Sequence, residues 1–164
     1  MELTLREGTI RDLPFLREML FQAAFWRPGT LGPPMDQALS RPDLAKLLES
    51  WGRNGDASVI AESPVNQSVG AAWYRFWSDR EHSYGYVGAD TPELGIAVVT
   101  GLRGKGIGGQ LLRALKKLAA DRGIESLSLS VEQDNPARVL YLRHGFEPVE
   151  IAGNSWTMIA RTAS

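Results

Sequence analysis

The chain has 164 residues, a length typical of one domain and long enough to bury a core without disulfide or metal support. It has no cysteine, which excludes a disulfide framework, a thiolate metal site and a cysteine nucleophile. The formal net charge is −1, so the molecule lacks the basic field that nucleic-acid-binding proteins usually carry. No signal peptide is recognisable, and no apolar run approaches the roughly 20 residues needed to cross a bilayer. We therefore expect a cytoplasmic protein with one domain over residues 1–164 and no nucleic-acid or membrane partner.

Hydrophobic periodicity predicts two helices and four strands in the first 99 residues. Asp12 can cap the first helix, whose leucines at 13, 16 and 20 share one face. Three prolines and two glycines between residues 26 and 34 predict a loop, and residues 78–91 read as a polar excursion between strands. The expected elements are strands at 3–10, 58–62, 69–77 and 93–99 and helices at 13–24 and 42–51.

The second half of the chain continues this alternation of strands and helices. An amphipathic helix is predicted over residues 106–122 and is stopped by Gly123. Strict alternation predicts a strand at 126–131, and Asn135-Pro136 is typical of the start of a helix, here reaching residue 144. Residues 146–151 and 155–160 can form a closing hairpin. The order of elements predicts one α/β (α+β) domain with a mixed sheet.

The most informative segment runs from a strand through a glycine-rich loop into the helix at 106–122. Free N–H groups at a helix N-terminus, together with the helix dipole, form an anion site. Glycines let a diphosphate approach the backbone closely, and four of them here lie within six residues. The sequence therefore favours a phosphate ligand over a merely packed turn. The loop residues concerned are Arg103, Gly104, Lys105, Gly106, Gly108 and Gly109.

Two nucleotide-binding patterns can be compared with this loop. It does not match the Walker pattern, because no Ser or Thr follows Lys105. It does contain a G-x-G-x-x-G, but residues 100–103 separate the strand from the glycines, and Glu125 lies at the start of the next strand rather than at its end. A dinucleotide-binding protein is kept as an alternative.

Residues 103–108 read Arg-Gly-Lys-Gly-Ile-Gly and resemble the coenzyme A pyrophosphate loop of the GNAT N-acetyltransferase superfamily. Residues 135–146 read Asn-Pro-Ala-Arg-Val-Leu-Tyr-Leu-Arg-His-Gly-Phe and are similar to that family's Asn…Leu-Tyr-x-x-x-Gly-Phe segment. The resemblance covers residues 93–148, whereas the first 90 residues agree only in element order. It implies a mixed, mostly antiparallel central sheet flanked by helices.

The resemblance also implies the chemistry and the residues that perform it. Acetyl-CoA is the expected co-substrate, and its acyl group passes by direct attack in a ternary complex to the primary amine of a small molecule or peptide. No metal is expected, and a homodimer is compatible with the family. The implied cofactor residues are Ile96, Ala97 and Val98 for the pantetheine arm and thioester carbonyl, Arg103, Gly104, Lys105, Gly106, Ile107, Gly108 and Gly109 for the pyrophosphate, and Asn135 near the thiol.

Tyr141 is the implied acid that protonates the departing thiolate, with a core aromatic as the alternative reading. Many family members place the asparagine one residue farther from the tyrosine than this chain does. An alignment fixed on Tyr141 therefore puts Asp134, not Asn135, at that position. A non-catalytic acyl-CoA-binding module is the second alternative function.

Glu93, at the start of the strand expected to carry the thioester, is the candidate for the base that accepts the amine proton. Asp90, His82 and Glu132 are rivals, and a water chain could replace a dedicated base. Aromatic residues at 25, 26 and 73–77 could line an acceptor pocket, although such residues more often belong to a core.

Overall fold

A computed structural model describes residues 2–29 and 31–163, and within them the strands form one seven-stranded sheet. Neighbouring strands are antiparallel except β4 and β5, which are parallel, so the expected mixed, mostly antiparallel sheet is confirmed. The spatial order is β1-β2-β3-β4-β5-β7-β6. The strands are β1 Thr4–Glu7, β2 Ala57–Glu62, β3 Ser68–Arg75, β4 Glu93–Val98, β5 Ser126–Glu132, β6 Glu147–Ala152 and β7 Ser155–Arg161.

Helices cover both faces of the sheet. They are α1 Leu13–Ala24, α2 Met35–Leu39, α3 Pro42–Ala45, α4 Ile107–Asp121 and α5 Ala137–Arg143. Helix α4 packs on one face, and α1 with the segment that follows it packs on the other. No described helix has both the length and the apolar character needed to cross a bilayer.

The core on the α4 face follows from two periodicities that meet. The apolar stripe of α4 repeats every three to four residues, and Leu111 and Leu115 are fully buried on it. Alternate residues of β5, Leu127 and Leu129, point at the same layer and are also buried. Burying one such leucine stabilises the fold by about 1.5–3 kcal/mol, so α4 is held firmly under the loop that precedes it.

The opposite face is covered mainly by α1. Leu16 and Met19 of α1 are fully buried against Ile60 of β2 and Trp73 of β3. The expected cap of α1 by Asp12 is wrong: its side chain makes no capping bond to that helix. Instead, the Asp12 carboxylate accepts from the Thr9 N–H at 2.8 Å and closes a capping box on the preceding 3-10 turn.

The expected helix at 42–51 is wrong in extent, because only Pro42–Ala45 is helical. The Lys46 carbonyl accepts from Arg75 Nη1 at 2.9 Å, which withdraws it from a helical ladder. Ser50 then has a φ of 53° and Gly52 a φ of 105°, so the chain turns and buries Trp51. Helix α2, which the prolines before it concealed in the sequence, adds a further short turn to this cover.

Strands β4 and β5 meet at one point and then separate. Within the described chain their register contains a single pair, Glu93 with Ser128, and the Ser128 N–H donates to the Pro92 carbonyl at 3.0 Å. Beyond that pair each strand continues for several residues without a ladder. A wedge-shaped gap therefore opens in the middle of the sheet, flanked by the loop that leads into α4 and by α5.

A buried ion pair stabilises the segment beside this gap. Arg75 donates from Nε and Nη2 to the two carboxylate oxygens of Asp56 at 3.0 and 2.8 Å, and both side chains are almost fully buried. Asp56 also accepts from the N–H groups of Gly52 and Arg53. The Asp56 carboxylate thus holds both the Arg75 guanidinium and the turn that leads into β2.

Replacing that carboxylate should strongly destabilise the protein. We expect Asp56→Ala to lower the free energy of unfolding by about 3–5 kcal/mol, because the Arg75 charge stays buried without its partner. Urea unfolding followed by tryptophan fluorescence measures the change. Asp121→Ala, which breaks the exposed pair with Lys117 on α4, is the matched control and should have little effect. Equal midpoints for Asp56→Ala and the parent protein would contradict this assignment.

Candidate active site

The β4 edge of the gap offers backbone groups that have no strand partner. The Val99 N–H donates to the Val69 carbonyl at 2.9 Å, and bonded pairs alternate along an antiparallel ladder. Ala97 therefore directs its backbone groups towards β3, whereas Ile96 and Val98 direct theirs into the gap. Such groups require partners when they are covered, so this edge can accept an extended ligand as an additional strand.

The loop between β4 and α4 carries the second feature of the site. Gly104 and Gly106 have φ values of 80° and 83°, in the left-handed region that favours glycine, and open space surrounds the positions of their absent side chains. The backbone N–H groups of residues 106–109 lie at the start of α4 and have no helical acceptor. Together they form a concave set of donors at the positive end of a 15-residue helix.

Gly108 and Gly109 serve a different purpose from the one that their place in the motif predicts. A side chain at 108 would meet Leu140 at 3.2 Å, and one at 109 would meet His144 Nε2 at 3.3 Å. Their small size therefore lets α5 pack closely on the first turn of α4. Because α5 fills the space beside their Cα atoms, these two glycines can contact an anion only through their backbone N–H groups.

The two cations of the loop differ in their surroundings. Arg103 is exposed; its Nε donates to the Val98 carbonyl at 3.4 Å and its Nη2 to Gln22 Oε1 at 3.2 Å. Lys105 is exposed and projects from the glycine turn. Both adjoin in sequence the residues whose N–H groups are free, and Gln22 links the loop to α1 through its contacts with Thr100 and Arg103.

A cavity of about 320 Å³ lies on the α1 side of the gap. Apolar and aromatic side chains form most of its wall, and charged groups stand at its rim and floor. Trp26, Trp73 and Trp77, from the predicted aromatic set, line it. Phe25 does not, and its ring packs against Phe21 at a tilt of 37° with centroids 5.0 Å apart. The apolar wall comprises Leu20, Trp26, Leu44, Leu47, Trp73 and Trp77. The charged groups are Arg41, Asp43, Arg75, Glu93 and Glu132.

Glu93 lies at the floor of this cavity, at the point where β4 and β5 separate. Trp77 Nε1 donates to one carboxylate oxygen at 2.9 Å, and the Gly85 N–H donates to the other at 3.1 Å. Burial raises the pKa of Glu93 to about 7, while these two hydrogen bonds act to lower it. The carboxylate is thus held in one orientation and titrates near neutral pH, which suits a general base.

Tyr141 lies on the other side of the sheet from Glu93. It is buried in the core beneath α5, and its ring meets Phe146 edge-on with centroids 5.8 Å apart. Burial raises the pKa of the Tyr141 phenol above its usual value, so the hydroxyl keeps its proton at neutral pH. Tyr141 does not line the cavity that holds Glu93.

Asn135 and Asp134 have different environments, which bears on the two possible alignments. Asn135 lines the cavity, and its Oδ1 accepts from the Ala137 N–H at 2.9 Å, as a helix cap does. Asp134 instead pairs with Arg27 at 2.6 Å and accepts from Asn154 at 3.1 Å. Of the two, only Asn135 is at the cavity.

The rival bases are less well placed than Glu93. Glu132 lines the cavity, but Arg27 pairs with it at 2.7 Å. His82 stacks on Tyr86 outside the cavity, and Asp90 is exposed. Within residues 2–29 and 31–163, no three His, Asp or Glu side chains converge as a metal-binding group.

Sequence reasoning missed the groups that set the properties of Glu93. Trp77 was considered only as a wall, and Gly85 lay in the segment read as a polar excursion. That segment folds back over the cavity, where Thr157 Oγ1 donates to the Tyr84 carbonyl at 3.3 Å. The sequence carries no local signal for this, because the contact joins residues far apart in the chain.

The amino-acid sequence is similar to that of known acetyltransferases. A model described as the acetyltransferase (GNAT) family matches residues 21–146. An L-methionine sulfoximine/L-methionine sulfone acetyltransferase of Pseudomonas paraeruginosa and one of Pseudomonas aeruginosa are each 29% identical over 153 residues, covering 90% of this chain and 81% of theirs.

Solved structures agree with this at the level of the fold. The PaiA N-acetyltransferase from Thermoplasma acidophilum, in complex with coenzyme A, superimposes with a TM-score of 0.71 at 18% identity, covering 98% of this chain and 99% of that one. A ribosomal-protein-alanine N-acetyltransferase from Brucella melitensis gives 0.66 at 25% identity, covering 96% and 99%.

Proposed function

Because the chain belongs to the acetyltransferase (GNAT) family, we propose that it transfers the acetyl group of acetyl-CoA to the primary amine of a small, amino-acid-like acceptor. The observation that carries the proposal is a cavity of small-molecule size whose floor holds an oriented carboxylate with a pKa of about 7. That carboxylate adjoins the gap in which a thioester can lie. We further propose that residues 1–164 act as one catalytic domain.

The cofactor is proposed to follow the path that the free backbone groups define. The N–H groups from Gly106 to residue 109 hold the diphosphate, assisted by Arg103, Lys105 and the turn at Gly104. The pantetheine arm pairs with Ile96 and Val98, whose backbone groups face the gap, while Ala97 supports the edge through β3. Asn135, at the cavity, lies where the thiol end emerges. The acceptor amine then meets the thioester from the cavity side.

Glu93 is the proposed general base. As the amine nitrogen attacks the thioester carbon, it forms the C–N bond and passes a proton to the Glu93 carboxylate. Trp77 and Gly85 each hold one oxygen of that carboxylate and so fix its direction. The backbone N–H groups at the β4 edge are positioned to stabilise the oxyanion of the intermediate.

Tyr141 is the proposed acid. When the C–S bond breaks, its phenol donates a proton to the thiolate and is later reprotonated from solvent. Burial raises the pKa of this phenol, which keeps it protonated until the thiolate forms but also makes it a weaker acid. Base and acid thus act from opposite faces of the sheet through the gap between β4 and β5.

The cavity supports a class of acceptor. Its wall of leucine and tryptophan suits an apolar side chain, and the guanidinium of Arg41 at the rim suits a carboxylate, although Asp43 pairs with it at 3.0 Å in the free protein. The guanidinium of Arg75 is committed to Asp56. An α-amino acid with a short, uncharged side chain meets these requirements, and the Pseudomonas relatives are named for two such compounds.

Release of free thiol from acetyl-CoA tests the function directly. We expect turnover with L-methionine sulfone, and roughly tenfold or more lower kcat/KM with 3-(methylsulfonyl)propylamine, which lacks the carboxylate. Cofactor binding without thiol release across a broad amine panel would mean a binding module instead. Absence of acetyl-CoA binding in calorimetry would overturn the proposal at its first step.

The base has a signature in the pH dependence of the rate. Because Glu93 must be ionised to accept a proton, kcat/KM should rise as the pH increases through about 7. Glu93→Gln should lower kcat/KM by roughly 100-fold and remove this rise. Glu132→Gln, a carboxylate on the same cavity wall, is the matched control and should keep it. A rise that persists in Glu93→Gln would exclude Glu93 as the titrating group.

Trp77→Phe provides a second arm of that test. It removes the N–H that stabilises the ionised carboxylate, so the rise in kcat/KM should move to higher pH. A profile unchanged by this substitution would show that Trp77 only fills space.

The acid is tested by Tyr141→Phe, which removes one hydroxyl and keeps the ring packing on Phe146. We expect kcat to fall by roughly 100-fold, because the thiolate then leaves without a proton donor. The Kd for acetyl-CoA in calorimetry should change little. Wild-type turnover in this variant would return Tyr141 to the role of a core aromatic.

A further inference from the structure

A group of basic side chains lies where α5 packs on α4. Arg113, Lys116, Arg143 and His144 belong to it, and among the described residues none of them is within ion-pair distance of a carboxylate. Elsewhere on α4 the charges are paired, as Lys117 is with Asp121. A concentration of positive charge on one face alone makes that face suited to an anion.

Two of these basic groups, Arg113 and His144, lie close to the same residue of α4. The position that a Cβ atom would occupy at Gly109 lies 3.3 Å from His144 Nε2 and 3.7 Å from Arg113 Nη1. The two donors come from different helices and meet over the first turn of α4. Lys116 donates to the His144 carbonyl at 2.9 Å and so holds the end of α5 in this place. The arrangement is therefore built by packing between helices, not by one flexible side chain.

The electrostatic surroundings of His144 are positive. The pKa of His144 is lowered, first by burial and then by the charges of Arg113 and Lys116. No acidic group contributes to its pKa. An anion bound by Arg113 and His144, beside the closely packed contact at Gly109 and not within it, would be attracted by the charges of Arg113 and Lys116.

The distance from the glycine turn suits a particular anion. Gly109 follows Gly106 by three positions in the chain, a rise of about 4.5 Å along a helix. An anion held by Arg113 and His144 thus lies about one helical turn from a diphosphate on the N–H groups of the loop. In coenzyme A, one ribose joins the diphosphate to a second anionic group, the 3′-phosphate.

We propose, resting on the proposed function, that Arg113 and His144 form the subsite for the ribose 3′-phosphate of the cofactor. Arg113 donates to the phosphate from its guanidinium, and His144 donates from Nε2. Lys116 acts as a positioning residue through the His144 carbonyl. The subsite makes the protein select coenzyme A over nucleotides that lack this phosphate.

Calorimetric titration with coenzyme A and with 3′-dephospho-coenzyme A tests the subsite. The parent protein should bind coenzyme A roughly tenfold or more tightly, as charge-assisted hydrogen bonds to a phosphate warrant. Arg113→Gln and His144→Gln should each weaken coenzyme A binding and leave the Kd for the dephospho compound unchanged. Lys117→Gln, on the same helix but paired with Asp121, is the matched control and should bind both like the parent.

The outcomes separate this inference from the proposed function. Equal affinity of the parent for the two compounds, or equal weakening of both by Arg113→Gln, would overturn the subsite while acetyl transfer stands. Failure of the parent to bind either compound would overturn the function itself. Because Arg113 is exposed, its variant is expected to fold, and a circular-dichroism melt checks that it does.

Discussion

The single register pair between β4 and β5, Glu93 with Ser128, is the constraint on which the rest of the site depends. It joins the two parts of the sheet at one end and leaves them apart at the other. The backbone of Ile96 and Val98 is thereby left without strand partners in the centre of the fold, where unpaired groups are costly. In the proposed complex the pantetheine arm supplies those partners. The fold thus leaves one strand position of the sheet unfilled, and the ligand takes that position.

The same divergence places two ionisable groups on opposite faces of the sheet. Alternation along β4 directs Glu93 into the cavity beside α1, while α5 directs Tyr141 into the core beside α4. Burial raises the pKa of both groups, with opposite effects on their use. Burial brings the pKa of the Glu93 carboxyl close to neutral pH, and it keeps the Tyr141 phenol protonated there. One physical cause therefore makes the carboxylate a better proton acceptor near neutral pH and keeps the phenol protonated.

Local patterns predicted much of this arrangement. The glycine loop, α4 and the alternating strand β5 follow from residues close together in sequence, and the structure has them nearly where expected. Gly109 was predicted for the right element but serves α5 packing, which no local pattern reveals. The helix expected at 42–51 ends early because Arg75 takes the Lys46 carbonyl, and Glu93 owes its orientation to Gly85. The first contact spans 29 residues and the second spans 8 across an irregular loop, and neither follows from a local sequence pattern.

The incomplete ladder also has a thermodynamic consequence. A ligand that bonds only to the folded chain adds RT ln(1 + [L]/Kd) to its unfolding free energy, about 2.7 kcal/mol at a hundredfold excess over Kd. Here that contribution acts at the seam between two half-sheets, the place where native-state amide exchange should be fastest in the empty protein. Bound acetyl-CoA then joins the two half-sheets. The resistance of this enzyme to heat and proteases should therefore increase with the concentration of its co-substrate.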